Sequence, residues 1–461
     1  MQAVTLTIAV AASLLVLVLR PARALAVYVI ALLFYPTYLV VQVGPLDISA
    51  VRIIITVLLL RCLAEAKLRQ GFKWCALDSW VAFGAIISIV IPLLAWQMPA
   101  MKALENRSGL LMDTFCAYLA ARFCISDRAS LLTAMKWIAV GFAGLALVGV
   151  AESVTGWQSY NMLKIYCPWQ SVSEPELNPR SGFYRAIGPF PHSITFGAAF
   201  AMFIPLAYWL RHERGYWGML SYWLSALFVV GAVSSMSSGP WMMIVFTFGC
   251  LAFEHYKKLV KPAIVFVIFS CFIVEIISNR SFYDVLCSYA NPIGGAGGHR
   301  GQLIHLAIDH FDEWWLVGYG GQDPGWGESL GMTRTDVTNH YIMAGVEYGL
   351  VGVIAICGAL ATAIYMLVRS HNSVNDPVLR SWHWALGSTV VVLAIAFNSI
   401  YFGGQAGTLV YCILGIIGSS PRFHLLGLGA TKNLADTYTC AMAPSQYAGS
   451  GAFLTSTTHR M

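Results

Sequence analysis

Charged residues are scarce in this chain of 461 residues: 11% are Asp, Glu, Lys or Arg, against 58% apolar. A soluble globule carries about a quarter charged residues, so that class is excluded. No basic tract is dense enough to hold a nucleic acid, and the formal charge of +6 matters only through where single residues fall. No CxxC or HExxH spacing occurs, so neither a metal nor another cofactor is expected. Alternation over segments of about ten residues, the mark of a membrane β-barrel, is missing too. A basic start is also lacking: Met1 to Leu19 is apolar and Arg20 and Arg23 follow it, which argues for an uncleaved first span rather than a cleaved signal.

What the chain does have is a succession of apolar stretches of about 18 or more residues, each long enough to cross a bilayer as a helix. The expected fold class is therefore all-α, a polytopic membrane bundle. Spans are predicted at 3–19, 24–43, 49–65, 78–97, 109–124, 131–153, 191–210, 216–234, 240–254, 262–278, 341–368, 383–399 and 404–418. Twelve spans result if the first is re-entrant or two merge. The chain then divides into N-terminal spans (1–153), a first outer loop (154–190), central spans (191–278), a large outer loop (279–340), C-terminal spans (341–418) and a disordered cytoplasmic tail (419–461).

Alternating the connections puts 17 of the 28 basic residues on one face, among them Arg20, Arg61, Arg122, Arg211, Lys257 and Arg380. Lys102, Arg107, Lys164, Arg180, Arg185, Arg280, Arg300 and Arg334 fall on the other, in longer loops. The first face is the cytoplasm by the positive-inside rule, with the amino terminus outside and the carboxyl terminus inside. Two connections, Ser153 to Phe190 and Asn279 to Asn339, are longer than connection requires, and both are outside. Each holds one cysteine, Cys167 or Cys287. The two either pair as a disulfide in an oxidising compartment or are unrelated thiols.

The second long loop carries Gly294-Gly295-Ala296-Gly297-Gly298-His299-Arg300 and then Gln302 to Trp315, where Leu303, Ile304, Ala307, Ile308, Phe311, Trp314 and Trp315 recur at helical spacing. An amphipathic helix along the interface or over the bundle is predicted. Arg300 opens its buried face, and backbone amides, helix dipole and guanidinium together favour a phosphate. The plainer alternative is an arginine that caps a helix or meets headgroups. The first long loop ends with Arg180, Arg185 and His192 among glycine and proline; interfacial arginines also snorkel. His340 stands at the start of the next span, where an imidazole can accept a proton from a sugar hydroxyl or serve as an anchor. Glu347 is seven residues on, on the same helix face, and reads as an orienting or packing group because a carboxylate at that depth needs a partner. Arg52 and Asp113 are expected to bridge two spans. Trp169, Trp314, Trp315 and Trp326 offer faces to sugars or form an interfacial belt.

Four short motifs carry a likeness. Arg185-Ala186-Ile187-Gly188-Pro189-Phe190 precedes a span, and Arg300 opens a helix in the large loop. Gly318-Tyr319-Gly320 follows, then Asn339 with Glu347-Tyr348-Gly349-Leu350-Val351-Gly352. In this order, from about Asp47 to Gly418, the chain resembles the O-antigen ligase and O-antigen polymerase superfamily. The resemblance implies an integral-membrane, metal-independent, inverting glycosyltransferase of the bacterial inner membrane, working on the periplasmic side. Its partners would be a glycan linked to undecaprenyl or another polyprenyl diphosphate, a glycan acceptor, the lipid bilayer and a chain-length regulator. By the resemblance Arg185 and Arg300 hold the diphosphate and His340 assists the acceptor, while Arg180, His192, Asn339, Tyr341 and Trp314 are expected to bind substrate. Ligases commonly place histidine immediately before the asparagine; here Thr338 stands there and His340 follows Asn339. That favours a polymerase for O-antigen or exopolysaccharide over a ligase to lipid A core. The rival class is a lipid-linked oligosaccharide transporter, disfavoured because no inverted repeat is visible.

Overall fold

The computed structural model describes residues 1–44, 46–94, 100–167, 179–289 and 297–420. Trp169, Asn178, the run from Gly294 to Ala296, and the chain from 421 on lie outside them.

The chain opens with α1 (Gln2–Val18), α2 (Pro21–Phe34), the strands β1 (Val40–Val43) and β2 (Leu46–Ser49), α3 (Ala50–Ala64), α4 (Ala66–Arg69) and α5 (Ala76–Leu94). Then follow α6 (Ala100–Leu111), a π-helical turn at Met112–Cys116, α7 (Ala117–Cys124) and α8 (Arg128–Thr155). The middle of the chain forms α9 (Ser193–Trp209), α10 (Tyr216–Ser234), α11 (Ser238–Phe253) and α12 (Val260–Ile277). The large connection holds α13 (Phe282–Tyr289), α14 (Gly297–Asp309) and α15 (Phe311–Trp314), and the chain closes with α16 (His340–Tyr348), α17 (Leu350–Ser373), α18 (Pro377–Ala396) and α19 (Gly404–Ser420). Seven of these, α5, α8, α9 with its last turn, α10, α12 with its first turn, α17 and α18, are long and apolar enough to cross a membrane; α1, α2, α11 and α19 are apolar but shorter.

Local chemistry sets the boundaries. Ser49 caps α3 by accepting from the Arg52 amide. Asp127 and Ser130 form a reciprocal capping box at the start of α8, satisfying amides that the first turn leaves open. Asp376 and Pro377 start α18, a pairing that suits an open first turn. The central post is α9, nearly all of which is buried. Phe142, Phe196, Phe200, Phe203 and Phe228 interlock around it with ring centroids 4.5–6.0 Å apart. By contrast, no residue of α12 is buried.

At one end of the bundle Asp78 and Arg122 form a buried ion pair of 2.9 Å between α5 and α7, and Ser419 of α19 donates to the Arg122 carbonyl. There too Arg211 pairs with Glu254 at 2.9 Å. The opposite end gathers the long connections and the start of α16.

Three expectations change. Among the described residues the fold is helical except for one antiparallel hairpin, Val40–Val43 with Leu46–Ser49, which replaces the end of the span predicted at 24–43. The helix stops at Phe34 because Pro36 forces Tyr35 into an extended conformation. The helix predicted to begin at 109 begins at 100 and carries the π turn. The span predicted at 341–368 is two helices broken at Gly349. Of the two readings of Cys167 and Cys287 the structure has the thiols: no bridge joins them, Cys167 lying near Tyr38 and Cys287 beside Arg300.

Candidate functional site

Arg185 owes its place to a carboxylate that the sequence did not single out. Glu152, 2% exposed at the end of α8, accepts from the Ile187 and Gly188 amides at 3.0 and 2.8 Å and from the Ser159 amide and hydroxyl at 3.2 and 2.9 Å. Around it the Tyr184 amide donates to Ser153 and the Ala186 amide to Ser234, while the Gln158 amide group donates to the Arg185 carbonyl at 3.3 Å. The segment is thus fixed on both sides of Arg185, whose buried guanidinium donates to the Ser237 hydroxyl at 3.0 Å. Ser237 follows Met236, held at φ 45°, a strained conformation of the kind found where a turn must aim a side chain.

The start of α16 forms a second wall. Asn339 is buried, and its side-chain oxygen caps the helix by accepting from the Tyr341 and Ile342 amides at 2.9 and 3.1 Å. His340 packs against Phe397, Tyr401 and Phe402 with centroids 4.4, 5.5 and 6.3 Å away. A narrow cavity of about 50 Å³, lined by Trp80, Ala355, Phe397, Tyr411 and Leu414, reaches His340 from the apolar side.

Seven residues on, Glu347 has the partner its depth demands. Arg107 of α6 approaches it to 3.7 Å and donates to the Tyr348 hydroxyl at 3.0 Å. The helix then breaks at Gly349, φ +74°, where an added Cβ would lie 2.5 Å from the Leu316 carbonyl. There the large connection docks: the Tyr319 amide donates to Val346 at 2.6 Å and the Leu350 amide to Trp315 at 2.8 Å. The Gly318-Tyr319-Gly320 and Glu347-to-Gly352 motifs are therefore the two halves of one clasp.

The third wall is α14. Arg300 lies in its first turn, on the side of Leu303 and Ala307, which are buried, whereas Ile308, Phe311 and Trp315 remain exposed, as an interfacial helix requires. Burial disfavours the charge on Arg300, and the Cys287 thiol acts on it electrostatically, the pKa of that thiol being itself raised by burial. Around α14, His299 bonds the Asp336 carbonyl at 3.0 Å and His305 bonds Asp284 at 2.9 Å. The Tyr319 hydroxyl and His310 hold the Glu313 carboxyl below its usual range. Thr335 and the Gly325 amide do the same for Asp323.

A continuous line of contacts joins the walls. From Arg185 it passes through Ser237 to Gly239, whose Cβ position meets Ile400, then along the 397–403 turn to His340. The peptide link is the His340 amide donating to the Phe397 carbonyl at 2.7 Å. Back through Thr338 to Asp336, the His299 bond leads to Arg300. Along this line the Arg300 Nε, the Thr338 hydroxyl and the His340 Nδ1 are buried and have no hydrogen-bond partner among the described residues.

The other expected residues are placed differently. Arg180 forms a tight turn with Phe183 through mutual backbone bonds of 2.8 and 3.0 Å. His192 is exposed and precedes α9, its carbonyl accepting from Phe196 and Thr195. Tyr341 donates to the Ala394 carbonyl at 2.9 Å. The Trp314 ring packs on Gly345, and its N–H donates to Ala307 at 2.8 Å. Trp326 is buried against His310, 5.8 Å between centroids. Glu275 accepts from the Phe282 amide at 2.7 Å, at the start of α13. Arg52 and Asp113 do bridge α3 and the π turn, at 2.7 Å.

Glu152, Arg107 and Tyr401 were missed. Glu347 was the available signal for Arg107, since a deep carboxylate requires a cation from the same side. Nothing local marked Glu152 as the anchor of the Arg185 segment, whose Ile187 and Gly188 amides come from more than thirty residues away. No protein-family model matches the chain, and no curated protein matches it.

Proposed function

We propose that this protein is a polymerase-like membrane glycosyltransferase that moves glycan repeats from a polyprenyl diphosphate at the periplasmic face of a bacterial inner membrane. The observation that carries the reading is the set of unpartnered buried atoms on Arg300, Thr338 and His340. Buried polar groups are ordinarily satisfied, and each of these atoms could take a bond from a ligand. A half-buried guanidinium with no carboxylate partner among the described residues suits an anion, and a diphosphate is an anion with oxygens to spare.

Seven helices are long and apolar enough to cross a membrane, and α1, α2, α11 and α19 are apolar but shorter; the reading of thirteen spans counts α3 and α6 with α7 as well, and takes α16 with α17 as one. The basic residues gathered at the Asp78–Arg122 end support a cytoplasmic assignment there. The long connections then face outward.

In the reaction an acceptor hydroxyl oxygen bonds to the anomeric carbon from the face opposite the diphosphate, while the bond from that carbon to the phosphate oxygen breaks and its electron pair leaves with the diphosphate. Arg185 and Arg300 stabilise the growing charge. The hydroxyl proton passes to the His340 imidazole, which also orients the hydroxyl, and then to solvent. Polymerisation is preferred over ligation to lipid A core because Thr338 occupies the position where ligases commonly have histidine. The Arg52–Asp113 pair satisfies itself, which weighs against an ion path and against transport.

The test is reconstitution. Purified protein in liposomes, given lipid-linked repeat, is expected to release polyprenyl diphosphate and lengthen the glycan. Movement of intact substrate across the bilayer without release would replace the transferase reading with a transporter.

A further inference from the structure

One polar group of this end is unused by the diphosphate. His340 and Glu347 share a face of α16, and Tyr401 lies opposite: its ring is 5.5 Å from the imidazole, and its hydroxyl lies in the field of Glu347 and Arg107. Arg107 is sequestered, its side chain 8% exposed, while Glu347 at 19% remains partly open. Over the guanidinium passes Gly321, φ +89°, where any Cβ would sit 2.8 Å from an Arg107 nitrogen. The turn can cross there only as glycine, and it roofs the group with backbone.

We propose that Glu347 and Tyr401, held by Arg107, form the subsite for the acceptor sugar beside His340, an inference that rests on the transferase reading. The sign of the charge separates this subsite from the donor's. A carboxylate repels a diphosphate but accepts hydrogen bonds from two neighbouring sugar hydroxyls, and the Tyr401 ring offers an aromatic face to the apolar side of a pyranose. Arg107 is a positioning residue: its guanidinium, 3.7 Å away, fixes the direction of the Glu347 carboxyl group. The unpartnered His340 Nδ1 then receives the hydroxyl that attacks. A neutral, polyhydroxylated ligand fits these groups; an anionic one does not.

The experiment uses the full chain in liposomes, with lipid-linked repeat as donor and, as acceptor, the repeat oligosaccharide released from the host's polyprenyl-linked glycan by mild acid. Glu347→Gln is expected to raise the acceptor KM at least about tenfold and leave the donor KM within about twofold. Tyr401→Phe, which keeps the ring and removes one hydroxyl, should raise the acceptor KM about threefold or more with an unchanged melting temperature. Arg107→Lys, retaining charge, should recover more acceptor affinity than Arg107→Met. Unchanged acceptor KM in Glu347→Gln and Tyr401→Phe, with wild type active, overturns the subsite alone. A wild type that releases no polyprenyl diphosphate overturns the transferase reading and the subsite with it.

Discussion

Glu152 and Gly188 meet across a hydrogen bond of 2.8 Å, and that contact decides where Arg185 points. Glu152 sits at the end of an apolar helix, and backbone amides and one serine hydroxyl satisfy its oxygens. A buried carboxylate held this way fixes a loop more rigidly than an ion pair between long side chains, because the donors are part of the main chain.

Glu152→Ala therefore leaves the Ile187 and Gly188 amides unsatisfied. The expected cost is about 2–4 kcal/mol, read as a lowered melting temperature in detergent, with glycan transfer lost. Glu152→Gln keeps one acceptor oxygen and should cost about half as much. Equal stability of Glu152→Ala and wild type would remove the clamp.

At Gly349 both the positive φ and the approach of the Leu316 carbonyl exclude a side chain. Gly349→Ala should cost about 2 kcal/mol or more and open the clasp, seen as faster proteolysis within 315–339. An unchanged cleavage rate would mean that the large connection docks by other contacts.

Arg52 and Asp113 are a structural bridge in this account. Arg52→Met alone should destabilise by about 1–3 kcal/mol, because Asp113 loses its partner, and the double change Arg52→Met with Asp113→Leu should recover most of the loss. Activity lost in the double variant without loss of stability would give the pair a functional role.

Periodicity and length made the helices legible in the sequence, since apolar runs leave few alternatives. Pro36 was the readable sign that the second helix stops early. The break at Gly349 was harder: glycine inside an apolar run is common in membrane helices, and only the Leu316 backbone lying against it makes it a helix end. At the site, Arg185, Arg300 and His340 stood out through residue type and position. Glu152 and Arg107 did not, because each acts through a partner distant in sequence: Glu152 through Gly188, Arg107 through Glu347. The packing of the Trp314 ring on Gly345 was not readable for the same reason.

The central claim is that Arg185 and Arg300 hold one diphosphate. Its most direct test is a double-mutant cycle on equilibrium binding of a short-chain polyprenyl diphosphate to purified wild type, Arg185→Ala, Arg300→Ala and the double variant. Each single change should weaken binding at least about tenfold, and the double should fall short of their product because both side chains address the same ligand. Wild-type affinity in either single variant, or fully additive losses, would contradict the claim.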